Sequence, residues 1–167
     1  TGIGTLPILY FGNDEQKQEY LPKLATGEFI GAYCLTEPGA GSDANNGKTK
    51  AILSDDETYY TMNGVKMWIT NGGIADILIV FAKIGDDKDL SAFIVDAHSE
   101  GVKIGVDEEK MGIKGSSTVQ VFFEDTKVPA KNLLGKRMNG FKIALYILNL
   151  GRIKLAGATL GGSKATI

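Results

Sequence analysis

The sequence predicts a mainly β fold, an antiparallel β-barrel or sandwich with short helical segments at both ends, and three observations carry that expectation. Between residues 29 and 135, short runs rich in β-branched and aromatic residues recur: "FIGAYCL", "TKAIL", "TYYTM", "VKMWI", "DILIVFAK", "LSAFIVD", "VKIGV" and "TVQVFFE". Glycine, proline, asparagine and aspartate separate them at nearly regular intervals, as the strands of an antiparallel sheet require. Helical periodicity occurs only outside this stretch.

Taken in order, residues 1–28 read as the end of a helical unit. Within "GNDEQKQEYLPKLATGE", Asn13 is suited to an N-cap with Gln16 three residues later, and the helix is expected to close around Pro22 and Gly27. Residues 29–135 form the β unit. Its firmest local feature is "TYYTMNGVKMWIT", where Asn63-Gly64 suits the two-residue type I′ turn of a hairpin. Residues 136–167 begin a third unit, in which Phe141, Ala144, Leu145, Leu148, Ile153 and Ala156 recur at helical spacing. That helix is apolar around much of its circumference, and no other long helix is expected to cover it. The absence of an initiating methionine and an end inside a helical pattern predict a segment of a longer protein.

Composition removes several classes of function. With 167 residues, 43% of them hydrophobic, the chain can bury one ordinary core. A net charge of −2 supplies no broad basic footprint for nucleic acid or anionic lipid. The single cysteine, Cys34, has no disulfide partner, and with the single histidine, His98, it makes no metal cluster, so no metal site is expected. A reducing compartment follows, and neither a signal peptide nor a membrane-spanning run is read from the pattern.

The stretch "YCLTEPGAGSDANNGKT", residues 33–49, is the most unusual in the chain. As a P-loop it fails, because five residues, 42–46, separate Gly41 from Gly47 where the motif needs four. As a dinucleotide fingerprint, "GAGSDA" at 39–44 matches formally, but the fingerprint must open a helix whose N-terminus faces the pyrophosphate, and strands follow here instead. What remains is a turn with Pro38 and Gly39 at its centre, followed by Gly41 and Ser42, whose amides and hydroxyl can face an anion. By composition alone, a plain surface turn is the commoner outcome.

Four ordered segments carry a resemblance: "YCLTEPGAGSDA", "NGVKMWITNGGIAD", "KMGIKGSSTVQVFFEDTKVPAKNLLG" and "GFKIALYILNLGR" resemble the acyl-CoA dehydrogenase family, and "ILNLGR" leans towards its very-long-chain branch. The resemblance implies a middle β domain that binds FAD. It places Tyr33, Leu35 and Thr36 beside the flavin ring, and Gly41 and Ser42 at the FAD pyrophosphate, with Ser42 also touching acyl-CoA. Trp68, Ile69 and Thr70 form the second flavin segment, the tryptophan packed on the isoalloxazine and the threonine hydroxyl near N5. Without that flanking motif, Trp68 reads as a strand-borne core aromatic. Asn149 and Arg152 fall where the family contacts substrate, although a solvated helix face accounts for them nearly as well.

In that family a glutamate removes the α-proton of an acyl-CoA thioester while the β-hydrogen leaves as hydride to the flavin, giving the trans-2-enoyl-CoA of fatty acid β-oxidation. An electron-transferring flavoprotein then takes the electrons. The resemblance also implies a homo-oligomer in the bacterial cytoplasm or mitochondrial matrix. One set of subfamilies carries the glutamate where this chain has Gly151, so the general base is expected beyond Ile167 and no catalytic residue is assigned here. Glu37, Asp43, Asp76 and Glu124 read as turn or surface carboxylates, "EDTKVPAKNLLG" as a turn and linker, and His98 as an exposed loop residue. Two alternatives stay open: an acyl-CoA oxidase, and a non-catalytic assembly or interaction member of the family.

Overall fold

A computed structural model describes residues 2–167. Its secondary structure begins with helices α1 (Gly2–Phe11) and α2 (Asp14–Thr26). Strands β1 (Gly31–Cys34), β2 (Lys50–Leu53), β3 (Tyr59–Thr70), β4 (Ile77–Ile84), β5 (Ser91–Asp96), β6 (Val102–Ile104), β7 (Thr118–Pro129) and β8 (Leu133–Leu134) follow. Helix α3 (Gly140–Thr166) ends the chain.

The caps of α2 are local and behave as the sequence predicts. Asn13 Oδ1 accepts from the Gln16 amide at 2.8 Å and Gln16 Oε1 accepts from the Asn13 amide at 3.2 Å, satisfying two otherwise orphaned donors. Gly27, left-handed at φ 82°, closes the helix. Pro22 does not; it lies inside α2. Helix α1 falls within the helical unit expected over 1–28, but its packing face is not foreshadowed, because "GIGTLPILYF" is apolar on all sides. It forms where Gly4, Pro7 and Ile8 are buried against β1, β4 and α3.

Eight strands form one mixed sheet with the order β6-β7-β3-β2-β4-β5-β8, and β1 pairs with β4 off that path. Two corrections to the expected architecture follow. The β1–β4 and β2–β4 pairings are parallel, so the sheet is not purely antiparallel, and among the described residues the path of pairings does not close into a barrel. The terminal helix is also long rather than short.

Strand β4 is the organising element. β1 and β2 pair with successive stretches of it, Ile77–Val80 and Lys83–Ile84, so the glycine-rich stretch between β1 and β2 is an excursion from a single strand. Alternate β4 residues feed two cores. Leu78, Val80 and Ala82 join Cys34, Met62, Phe93 and Val121 in one, while Ile77, Ile79 and Phe81 meet Ile8, Leu24, Ile143 and Ile147 of the helices in the other. Burial on both faces explains why β4 is apolar without a break from Ile77 to Ala82.

The predicted Asn63-Gly64 hairpin is not formed. Both residues lie within the continuous strand β3, which pairs along its length with β7. Glycine is needed there for close approach: a Cβ on Gly64 would stand 2.4 Å from Thr49 Oγ1 and 2.7 Å from Thr49 Cβ. "EDTKVP" is likewise part of β7 rather than a turn and linker.

Helix α3 changes character along its length. Gly140, Ile143, Ala144 and Ile147 are buried against the sheet, whereas Ile153, Leu155 and Leu160 are 70%, 64% and 59% exposed. By length and composition alone α3 could cross a membrane, a possibility the shorter runs weighed in the sequence did not raise. Its first turns belong to the second core, and Arg152, Lys154 and Lys164 interrupt the remainder.

Candidate functional site

A cleft of about 290 Å³ opens between the end of β1, the glycine loop and α3, near the lower limit for pockets that hold drug-sized ligands. Its walls are Tyr33, Leu35, Thr36, Gly41, Ser42 and Ala44 on one side and Phe141, Leu145, Leu148 and Arg152 on the other. Six residues singled out in the sequence, Tyr33, Leu35, Thr36, Gly41, Ser42 and Arg152, thus share one cavity. A larger depression of about 620 Å³, lined by Ser99, Lys103, Glu124, Asp125 and Lys127 among others, contains none of them.

Tyr33 is fixed from two directions. Its ring stands 5.0 Å from that of Phe81, and its hydroxyl donates to the Ala144 carbonyl of α3 at 3.2 Å. Burial pushes the phenol well above its usual range, so it remains a neutral donor. The neighbouring Cys34 is fully buried, its thiol pushed up to about 12 by desolvation, and is inert. The turn after Leu35 forms as expected, Ala40 N donating to Glu37 O at 3.1 Å around Pro38 and Gly39. Only the three-residue 3₁₀ turn Ala44–Asn46 follows, too short to supply a helix N-terminus for a pyrophosphate. Gly41 and Ser42 are exposed, and a Cβ placed on Gly41 would meet nothing within 4 Å. Space for a ligand is therefore present against that backbone.

The second segment is brought to the first through the backbone, where Met67 N donates to Thr36 O at 2.9 Å. Register in β3 slips between Lys66 and Ile69, and Trp68 occupies a left-handed conformation at φ 59°. Alternation explains the outcome. Tyr60, Met62 and Lys66 point inward, and an unbroken strand would send Trp68 inward too; the bulge turns the indole out and puts Ile69 inside. Trp68 is 55% exposed, so the core-aromatic reading fails. A bulky residue held in the left-handed region at a bulge is strained, and such strain persists where surrounding structure fixes it. Ile69 is 1% exposed, leaving only its backbone available to a ligand, while Thr70 is exposed at the strand's end. None of the three lines the cleft itself.

Asn149 lies outside the cleft wall and accepts from Arg152 Nη1 at 2.8 Å, orienting the guanidinium at the rim. No carboxylate lines the cleft among the described residues, and Gly151 offers none.

One reading of the carboxylates is overturned. Glu37 is not a surface residue but 5% exposed, and its Oε1 lies 2.7 Å from Nζ of the fully buried Lys66. The Lys48 and Thr49 amides also donate to its carboxylate, at 2.6 and 3.1 Å, while Lys66 reaches the Leu35 and Phe81 carbonyls at 3.2 and 2.6 Å. For Glu37, burial raises the carboxyl's affinity for a proton, but the charge and hydrogen bond of Lys66 with the two amides outweigh it and hold the group below its usual range. For Lys66 the balance runs the other way, loss of water outweighing the pull of Glu37. The donor count favours the ionised pair: three ammonium hydrogens face three acceptors, and three N–H groups face the carboxylate. The signal in the sequence was the inward parity of Lys66 with Tyr60 and Met62, hidden by reading Asn63-Gly64 as a turn.

Of the other acidic residues, Asp76 accepts the Ile30 amide at 2.8 Å, Glu124 pairs with Lys103 in solvent, and Asp43 is exposed. The His98 ring is exposed and 3.4 Å from Asp76.

Comparison with known proteins identifies the family of the chain. The acyl-CoA dehydrogenase middle-domain family matches residues 32–126, more than half of the chain, and the N-terminal-domain family matches residues 1–28. The chain belongs to the acyl-CoA dehydrogenase family. Among acyl-CoA dehydrogenase relatives, a probable acyl-CoA dehydrogenase of Bacillus subtilis is 54% identical over 166 residues, 99% of this chain and 28% of that protein. The mitochondrial very long-chain specific acyl-CoA dehydrogenase of Bos taurus is 49% identical over 173 residues, again 99% of this chain and 26% of that protein. An acyl-CoA dehydrogenase from Bacillus anthracis, solved in complex with FAD, superposes with a TM-score of 0.89 at 56% identity, covering 92% of this chain and 26% of that one. The chain spans between about a quarter and under half of the length of the curated relatives it matches.

Proposed function

We propose that the protein carrying this chain is an FAD-dependent acyl-CoA dehydrogenase of fatty acid β-oxidation, converting a fatty acyl-CoA to the trans-2-enoyl-CoA. The observation that supports this most is the shared cleft of Tyr33, Leu35, Thr36, Gly41, Ser42 and Arg152, tied through Thr36 to the bulge that turns Trp68 outward. Bound FAD would supply the two-electron acceptor that the dehydrogenation of a saturated thioester requires.

The chain's own groups fit that cofactor. Tyr33, Leu35 and Thr36 at and just past the end of β1 supply one wall of the cleft for the ring system, and the exposed indole of Trp68 offers a flat apolar partner. Gly41 and Ser42 present amides and a hydroxyl in open space for an anionic group. Thr70, exposed at the end of β3, is a hydroxyl donor available where negative charge develops. Arg152, held by Asn149, places a permanent positive charge at the rim for the polar part of an acyl-CoA. Since no carboxylate lines the cleft among the described residues, this reading takes the general base from beyond Ile167.

The same reading makes residues 1–28, 29–135 and 136–167 parts of three successive domains. It also makes the protein a homo-oligomer of the bacterial cytoplasm or mitochondrial matrix, with an electron-transferring flavoprotein as acceptor and a preference for very long acyl chains. The test is the visible spectrum of the complete protein before and after anaerobic addition of a saturated long-chain acyl-CoA. Bleaching of an oxidised-flavin band is the expected result. A bound flavin that no acyl-CoA reduces would refute dehydrogenation, and purification without flavin under FAD supplementation would refute the cofactor.

A further inference from the structure

Three consecutive residues of the first segment are bonded to two consecutive residues of the second. The Leu35 carbonyl and the Glu37 carboxylate both receive Lys66 Nζ, and between them the Thr36 carbonyl receives the Met67 amide. The third acceptor of Lys66, the Phe81 carbonyl, lies in β4, on which the sheet is organised. On its other side the Glu37 carboxylate binds the Lys48 and Thr49 amides and so closes the neck of the glycine loop. The fit at that neck is tight, since a Cβ on Gly47 would lie 2.9 Å from Glu37 Oε1.

We propose that the buried Lys66–Glu37 pair is the positioning device of the cofactor site, holding the β1 end, the loop carrying Gly41 and Ser42, and the bulge carrying Trp68 in one fixed relation. The inference rests on the flavin reading above but asks something further: why a charged pair is kept inside the core, where burying it gives little net stability over an apolar replacement. A lysine fits because its ammonium can bridge three separate segments, each through a different acceptor, which an apolar side chain cannot do. Neither residue touches the cleft, so both are positioning residues.

The experiment compares the complete protein with its Glu37→Gln and Lys66→Met variants and with Arg137→Gln, which removes the half-buried Arg137–Asp87 ion pair away from the cleft. The readouts are thermal unfolding, titration with FAD, and amide hydrogen exchange at Thr49 and Met67. Glu37→Gln preserves shape and leaves Lys66 free to lose its charge, so it is expected to unfold cooperatively. It should bind FAD at least about tenfold more weakly, and exchange should rise at Met67 as well as at Thr49. Arg137→Gln should leave the FAD affinity and the exchange at Thr49 and Met67 unchanged. If Lys66→Met does not fold, Glu37→Gln alone decides. Faster exchange confined to Thr49, or unchanged FAD affinity, would reduce the pair to a loop staple and overturn the proposal. Should the unaltered protein take up no FAD, the flavin reading fails, while the exchange at Met67 still reports whether the pair couples the two segments.

Discussion

Both ends of α3 carry large apolar residues, and their fates are opposite. Ile143 and Ile147 are sealed against β4 and β5, and a few turns later Ile153, Leu155 and Leu160 stand in solvent. The contrast extends beyond the helix. Around the sheet even a lysine has three acceptors, whereas at the far end of α3 Thr159 and Thr166 bond back to the preceding carbonyls of their own helix. Hydrophobicity thus says that a residue is meant to be covered, not what covers it.

The comparison can be broken at both ends. The largest effect is expected from Lys66→Met, which leaves Glu37 buried without its counter-charge and should cost about 3–5 kcal/mol in denaturant unfolding. The same pair gives a pH test. Because Glu37 is held below its usual range in the folded state, its contribution is complete above the unfolded carboxylate value of about 4.3 and is lost as pH falls through the lower folded value. Stability should therefore fall steeply in acid, and Glu37→Gln should flatten that limb. Next, Ile143→Ala, in the covered half of α3, should destabilise by about 2–5 kcal/mol. A smaller loss, about 1 kcal/mol, is expected for Asn13→Ala, which removes the cap of α2. The smallest belongs to Ile153→Ala, within about 0.5 kcal/mol in the same assay. Light scattering sharpens that last contrast: this chain alone should self-associate through the uncovered turns, and Ile153→Lys combined with Leu160→Lys should return it to a monomer.

What the sequence made legible was what neighbours in the chain decide among themselves. The Asn13–Gln16 capping box spans three residues, and the strands announced themselves by composition. Tyr33, Leu35, Thr36, Gly41, Ser42 and Arg152 were named together in the sequence through a resemblance whose motifs occur in order, and the fold lines one cleft with all six. The failures share one cause. Asn63-Gly64 has the look of a hairpin turn, yet its glycine answers to Thr49, on another strand. Glu37 follows the apolar β1 as turn residues do, but its partner is Lys66, and nothing local distinguishes a carboxylate that finds such a partner from one that faces water. The orientation of Trp68 depends on a one-residue slip against β7 that composition cannot encode. Helix α1 lacks a polar face and becomes a helix only by being packed.

That slip has a practical consequence. Trp68 is the sole tryptophan of the chain and stands with more than half its surface in solvent. Within this chain its fluorescence is thus an optical channel unmixed with any other indole, rooted two residues from Lys66, through which binding beside the bulge would be watched in real time without a label.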